Sequence, residues 1–177
     1  MGYEDHREQA GVRSIAFAVV TCSDTRTEET DVSGAKIRNM LGEAGHEVVH
    51  YEVIADEPAG LRTLLKNLAR RADIQAIVFN GGTGISRRDN TYDAVSALLT
   101  KTLPGFGEVF RMLSYESIGS GAILSRATAG IIVNKGAYGH EQHTVVFCIP
   151  GSPQAVELAM MKLILPEVSH LVWETTR

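Results

Sequence analysis

At 177 residues, with 44% hydrophobic and 21% charged side chains, the chain has the composition of one well-cored globular domain, which excludes a disordered polypeptide. A net charge of −4 without any polybasic block argues against non-specific nucleic-acid binding, and no apolar run approaches the ~20 residues of a membrane span. The polar, mixed-charge N-terminus lacks the basic head and apolar middle of a signal peptide, and the two cysteines, Cys22 and Cys148, read as small buried thiols of a reducing cytoplasm.

Residues 1–12 are expected to form a loose N-terminal arm and residues 13–177 one domain. SIAFAVVT (residues 14–21) is a continuous apolar run of strand length, the pattern of a strand buried on both faces. After the polar loop CSDTRTEETDVS, Ile37, Met40, Leu41 and Ala44 fall at i, i+3, i+4, i+7 and form one helical stripe, which Gly45 is placed to end. HEVVHYEVI is the second strand, and Pro58 suits the first turn of a helix whose apolar stripe is Leu61, Leu64, Leu65 and Leu68. IQAIVFN is a third strand. Ala94, Val95, Leu98 and Leu99 mark the next helix, and Val109, Phe110 and Leu113 another. Strands near residues 130–133 and 144–149 precede a last helix carrying Ala155, Val156, Ala159, Met160, Leu163 and Ile164. This alternation predicts a single three-layer αβα domain, a doubly wound and mainly parallel sheet with helices on both faces.

In such a sheet ligands bind where strands end in loops, and four loops qualify: those beginning at Cys22, Ala55, Asn80 and Pro150. NGGTGISRRDNT (residues 80–91) holds Gly81, Gly82, Thr83 and Gly84. Its bare backbone N–H groups admit an anion, the helix after it adds its positive end, and Arg87 and Arg88 supply planar cations. No phosphate-loop or dinucleotide fingerprint accounts for this stretch. Asp89 is either the cap of that helix or a Mg²⁺ ligand between phosphates. Asp56, in the loop ADE, carries the same two readings. A doubly wound sheet would bring Asp56 and Asp89 toward one crevice as a metal clamp for phosphoryl or nucleotidyl transfer. The first loop contains Ser23, Asp24, Asp31 and Ser33. Ser33 and Gly34 would offer donors at a helix N-terminus, while the plainer reading is an acidic solvated loop with a helix cap. SIGSGAILSRATAG (residues 117–130) is rich in small residues and carries Ser125 and Arg126, and PGSP (residues 150–153) puts a glycine and a hydroxyl at a helix start. His140 and His143, spaced HxxH, read as a solvated loop and not a zinc site.

The ordered set TCSD, IADE, GGTGISRRDNT, PGFGEVFRMLS, AILSRATAG and PGSPQAV resembles the MoaB/MogA family of molybdopterin adenylyltransferases, with details nearer the MoaB branch. The likeness runs from about residue 14 to the C-terminus. It implies the MoCF-type fold and a reaction in which molybdopterin and ATP, with Mg²⁺, give adenylyl-molybdopterin and pyrophosphate. Asp56 and Asp89 match the family aspartates of the metal and catalysis. The glycines match the phosphate loop. Ser125 with Pro150, Gly151 and Ser152 matches part of the pterin- and phosphate-binding surface, and Ser23, Asp31, Ser33, Gly34 and Arg88 complete the expected ligand contacts. The resemblance further implies a homotrimer, or a hexamer of two trimers, and a molybdate-inserting protein as the partner that takes the product. The one departure, AYGHEQH before the last strand, is longer than usual. Retention of Arg88, Asp89 and Thr91 points to an active member. The competing readings are a non-catalytic molybdopterin-binding scaffold and a hydrolase of a nucleotide-like substrate on a related domain.

Overall fold

The computed structural model describes residues 11, 13–135 and 141–177. Of the expected arm only Gly11 is among these, and residues 136–140, which include His140 and the start of AYGHEQH, lie outside them.

The first apolar run becomes β1 (Ala16–Cys22), buried along nearly its whole length. Its alternate side chains leave on opposite faces, as the pleat requires. Phe17 and Val19 join one apolar cluster with Ile37, Leu41, Phe110, Val156, Met160 and Ile164. Ala18 and Val20 join a second with Leu61, Leu65, Ala94 and Val95. Two cores, one on each face, make the three layers. Each fully buried Phe, Leu or Ile contributes about 1.5–3 kcal/mol relative to exposure.

The remaining elements follow the expected order, with two that were not expected, a short fourth strand and a final helix. They are α1 (Val32–Glu43), β2 (Glu47–Ile54), α2 (Pro58–Leu68), β3 (Ala76–Asn80), α3 (Thr91–Ser96), β4 (Lys101–Thr102), α4 (Pro104–Ile118), β5 (Thr128–Lys135), β6 (Glu141–Ile149), α5 (Pro153–Ala159) and α6 (Leu165–Thr176). A π-helical turn over Met160–Ile164 joins α5 to α6, just before Pro166, whose missing N–H and bulky ring disrupt an ordinary helical turn. Leu98 and Leu99 lie beyond the short α3 yet still pack on the second core.

The six strands are ordered β2-β1-β3-β6-β5-β4. β2, β1, β3 and β6 run parallel, while β5 is antiparallel to both β6 and β4. The fold is therefore the expected mainly parallel, doubly wound α/β domain. The chain leaves β1 through α1, on the first core's face, to reach β2. It then crosses back through α2, on the other face, to place β3 on the opposite side of β1. That reversal puts a crevice at the carboxyl ends of β1 and β3, flanked by those of β2 and β6. β2 and β3 are not neighbours, because β1 lies between them, so Asp56 and Asp89 can meet only across the end of β1.

Candidate functional site

The glycine stretch leaves β3 and doubles back at once. Gly81 N–H donates to the Ile149 carbonyl at 3.1 Å, and Thr91 N–H returns to the Gly82 carbonyl at 2.9 Å. Gly81 and Gly82 take φ of 93° and 60°, a region that side chains reach only at a cost. At Gly82 a Cβ would also run into the Asp56 carboxylate and the Thr91 hydroxyl. Among the described residues the N–H groups of Gly82 and Thr83 find no protein acceptor, as expected of a loop that waits for an anion.

Asp56 reaches this loop from the end of β2. Its carboxylate accepts the Asn90 N–H at 3.2 Å and the Thr91 hydroxyl at 3.1 Å. The cap of α2 is instead Glu57, which accepts from Gly60 N at 2.8 Å. Burial pushes the Asp56 carboxyl above its ordinary range, and the nearby Asp89 and Asp24 charges push the same way. Asp89 does not cap α3 either. It accepts the Ser86 N–H at 2.9 Å within its own loop, and hydrogen bonds from Ser86 hold its carboxyl below the usual range. The helix-cap reading of both aspartates thus gives way to one in which they brace the glycine loop from two sides.

A third carboxylate, Asp24, named in the first loop without a role of its own, also reaches the site. It accepts the Asp56 N–H at 3.2 Å and pairs with Arg88 at 2.8 Å. Arg88, with a side chain 78% exposed, is thereby held over the loop that follows β1. Among the described residues no three His, Cys, Asp or Glu side chains are gathered closely enough to hold a metal unaided. Asp56 and Asp89 nonetheless suit Mg²⁺, a hard cation that needs only one or two carboxylates when phosphates and water complete its shell. The repulsion from Asp89 and Asp24, which adds to the burial that raises Asp56, is what such a cation would relieve.

The other predicted residues divide by role. Asp31 is buried and its carboxylate is fully engaged: Gly34 N–H donates at 2.9 Å, Tyr51 OH at 2.8 Å, and the Thr21 hydroxyl donates as well. It caps α1. Burial, then the bond to Asp31, pushes the Tyr51 phenol up to about 12. Ser33 donates to the Gly151 carbonyl at 2.7 Å, tying the start of α1 to PGSP, and Ser152 caps α5 by accepting from Ala155 N. Ser23 accepts the Arg26 N–H at 3.2 Å and shapes the first loop. A cavity of about 360 Å³ is lined by Ser23, Gly81, Gly82, Thr83, Gly84, Asp89, Ser125, Pro150 and Gly151, together with Thr21, Cys22, Arg26, Asn80 and Leu124. A second, more apolar cavity of about 400 Å³ shares Ser125 and Pro150, adds Ser152, and runs between Phe110, Leu158 and Met161. Asp56 stands behind Gly82, while Asp31, Ser33, Gly34 and Arg88 lie outside the linings. Cys22 lines the first cavity, but burial pushes its thiol up to about 12, so it is protonated and no nucleophile at neutral pH. His143 lies in β6 beside Glu141.

Arg126, named in the sequence without a role, precedes β5 and hydrogen-bonds the carbonyls of Thr83 and Gly84. Its only signal was its position in the small-residue stretch SRATAG.

Fold and site together define an αβα domain with a glycine loop of bare backbone and an acidic rim at the carboxyl edge of its sheet. The model for a probable molybdopterin binding domain matches residues 18–170. The chain is 47% identical over 175 residues to molybdenum cofactor biosynthesis protein B of Halalkalibacterium halodurans, covering 98% of this chain and 97% of that protein. It is 48% identical over 175 residues to the protein of the same name in Bacillus subtilis, with the same coverage of 98% and 97%. A crystal structure of molybdenum cofactor biosynthesis protein B matches with TM-score 0.86 and 47% identity, over 94% of this chain and 99% of that one. The tungsten cofactor synthesizing protein MoaB from Pyrococcus furiosus matches with TM-score 0.80 and 36% identity, over 93% and 99%. The chain belongs to the MoaB (molybdenum cofactor biosynthesis protein B) branch of the molybdopterin-binding-domain family. Among the described residues no helix is long and apolar enough to cross a membrane.

Proposed function

We propose that the chain transfers the adenylyl group of ATP to the phosphate of molybdopterin, giving adenylyl-molybdopterin and pyrophosphate. The observation that carries this reading is the glycine loop with unpaired N–H groups, braced by Asp56 and Asp89 and opening on two joined cavities. The polar cavity suits a polyphosphate, and the apolar one that shares Ser125 and Pro150 suits a flat heterocycle.

In this reaction a phosphate oxygen of molybdopterin attacks the α-phosphorus of ATP, and the bond from that phosphorus to the bridging oxygen of pyrophosphate breaks. Both reactants are anions, so their repulsion is the main barrier to bringing them together. The Gly82 and Thr83 N–H groups offset part of it. A phosphate nucleophile is already ionised at pH 7, so no general base is needed, in keeping with a protonated Cys22 and the absence of a nucleophile–histidine pair among the described residues. Asp56 and Asp89 would hold Mg²⁺, which when bound neutralises phosphate charge. Ser33, by fixing Gly151, and Ser152, by capping α5, keep the PGSP edge rigid, and alignment of the two phosphates supplies much of the remaining rate.

The same reading takes the active form to be a trimer, or a hexamer of two trimers. It is supported by the exposed apolar side chains Met112, Tyr115 and Ile118 on α4 and Ile123 and Leu124 after it, a patch that a monomer would leave in water.

The test is to incubate the purified protein with molybdopterin, ATP and Mg²⁺ and separate the products by chromatography. Adenylyl-molybdopterin and pyrophosphate in equal amounts are expected. Bound pterin with no product above background would refute the transferase and leave a binding protein.

A further inference from the structure

The anion site needs its loop turned one way, with N–H groups inward and carbonyls outward. Nothing in the local sequence of GGTG enforces that choice, since glycines reverse a peptide plane easily. Arg126 is placed to enforce it. Its Nε donates to the Thr83 carbonyl at 2.9 Å, and its Nη2 to the Gly84 carbonyl at 2.6 Å and the Asp89 carbonyl at 3.3 Å. Its Nη1 meets both oxygens of Asp93 at 3.0 Å. The guanidinium also lies over the Tyr92 ring, 4.7 Å from its centroid. A guanidinium has five N–H donors. Here all three nitrogens are engaged, Nε and Nη2 by three loop carbonyls and Nη1 by the Asp93 carboxylate, so the planar fork is turned toward the loop. The contrast with Arg88 is direct: that side chain is 78% exposed with one ion pair, whereas Arg126 is 26% exposed with each of its three nitrogens bonded.

We infer that Arg126 is a positioning residue. It gathers the carbonyls of Thr83, Gly84 and Asp89 on one side of the glycine loop and so aims the N–H groups of the same peptide planes, that of Gly84 toward the Asp89 carboxylate and that of Asn90 toward the Asp56 carboxylate. Without it, the same carbonyls are free to rotate toward the cavity and would repel the phosphate they now face away from. Lysine cannot substitute, because a single ammonium lacks the planar fork that reaches Nε, Nη1 and Nη2 partners at once. Tyr92, on α3, lies under the guanidinium, while Asp93, with a side chain 65% exposed, meets it only from the solvent side.

The inference rests on the anion-site reading above, and its test separates the two. In wild-type protein labelled with ¹⁵N, pyrophosphate is titrated with Mg²⁺ and followed by NMR. The amides of Gly82 and Thr83 are expected to shift while the Arg126 guanidinium resonances stay in place. Larger shifts at Arg126 than at the loop would make it a ligand and overturn the proposal, as would no shift in either set. Arg126→Lys is expected to raise amide hydrogen exchange across residues 82–90 at least tenfold. It should lower kcat by about 100-fold, the cost of a displacement near 1 Å, with a smaller change in KM for ATP. Asp93→Asn, which keeps all three carbonyl contacts, should stay near wild type in both. Unchanged loop exchange in Arg126→Lys, or an equal loss in Asp93→Asn, would overturn the proposal. A wild-type protein that binds pyrophosphate through the loop amides but makes no adenylyl-molybdopterin sinks the transferase reading alone.

Discussion

Gly82 offers the sharpest test of how the site is built. At φ of 60°, alanine costs about 1–2 kcal/mol in backbone strain alone. Its methyl group would also displace the Asp56 carboxylate and the Thr91 hydroxyl. Moving Asp56 gives up its bonds from Asn90 N–H and Thr91 OH, and bonds to a charged acceptor are worth about 1.5 kcal/mol each when buried, less here because Asp56 is half-buried. The sum is about 3 kcal/mol, which for a chain of this size lowers Tm by roughly 6–12 °C. Gly105→Ala is the control: it lies in α4, its Cβ would meet nothing within 4 Å, and it should gain about 0.5–1 kcal/mol. Thermal denaturation by circular dichroism reads both. A Gly82→Ala variant that melts with the parent protein would refute the claim that Asp56 is wedged against this loop.

Three further outcomes are expected. Asp89→Asn keeps an oxygen to accept the Ser86 N–H and loses only the charge, so it should fold with a slightly lower Tm while adenylylation falls by at least about 100-fold; near-normal turnover would leave Asp89 a loop brace alone. Because burial raises the Asp56 carboxyl, its effect on stability favours the folded state at low pH and is lost as pH rises through that elevated value. Asp56→Asn should therefore gain stability relative to the parent as pH increases, in melts run across the acid range, and a constant difference would refute the assignment. Asp89, whose pKa is lowered, has the opposite sign, contributing stability above the ordinary aspartate range that fades as pH falls. Finally, a Cys22 thiol raised from 9.0 to about 12 carries about 1,000-fold less thiolate than an ordinary cysteine, so alkylation by iodoacetamide in the native state should be correspondingly slow, and rapid labelling would show the cavity floor to be open.

Much of this molecule can be read locally. The unbroken run SIAFAVVT announces a strand covered on both faces, and its alternate side chains do split between two cores. The Leu61, Leu65 and Leu68 stripe finds the buried face of α2, and Pro58 opens that helix. GGTG after an apolar run marks a turn of bare backbone, and Gly81 and Gly82 do take positive φ there. The two-residue β4 left no such trace, since so short a strand has no period to detect. Helix caps were misjudged by one residue, Glu57 taking the place offered to Asp56, because neighbouring acidic side chains are equally able to accept and only backbone geometry chooses between them.

Sequence alone therefore determined what is set by neighbours along the chain: strand and helix order, the faces they bury and the loops rich in polar chemistry. Only the tertiary structure decided which of those loops meet. It placed β1 between β2 and β3, so that Asp56 braces a loop 34 positions away through Asn90, and it spent the Asp31 carboxylate on Thr21, Gly34 and Tyr51. It also brought Arg126 to carbonyls 42 and 43 positions earlier in the chain. The physical reason is that a hydrogen bond depends on distance and direction in space. Local sequence sets neither for groups whose nearness exists only once the sheet has formed.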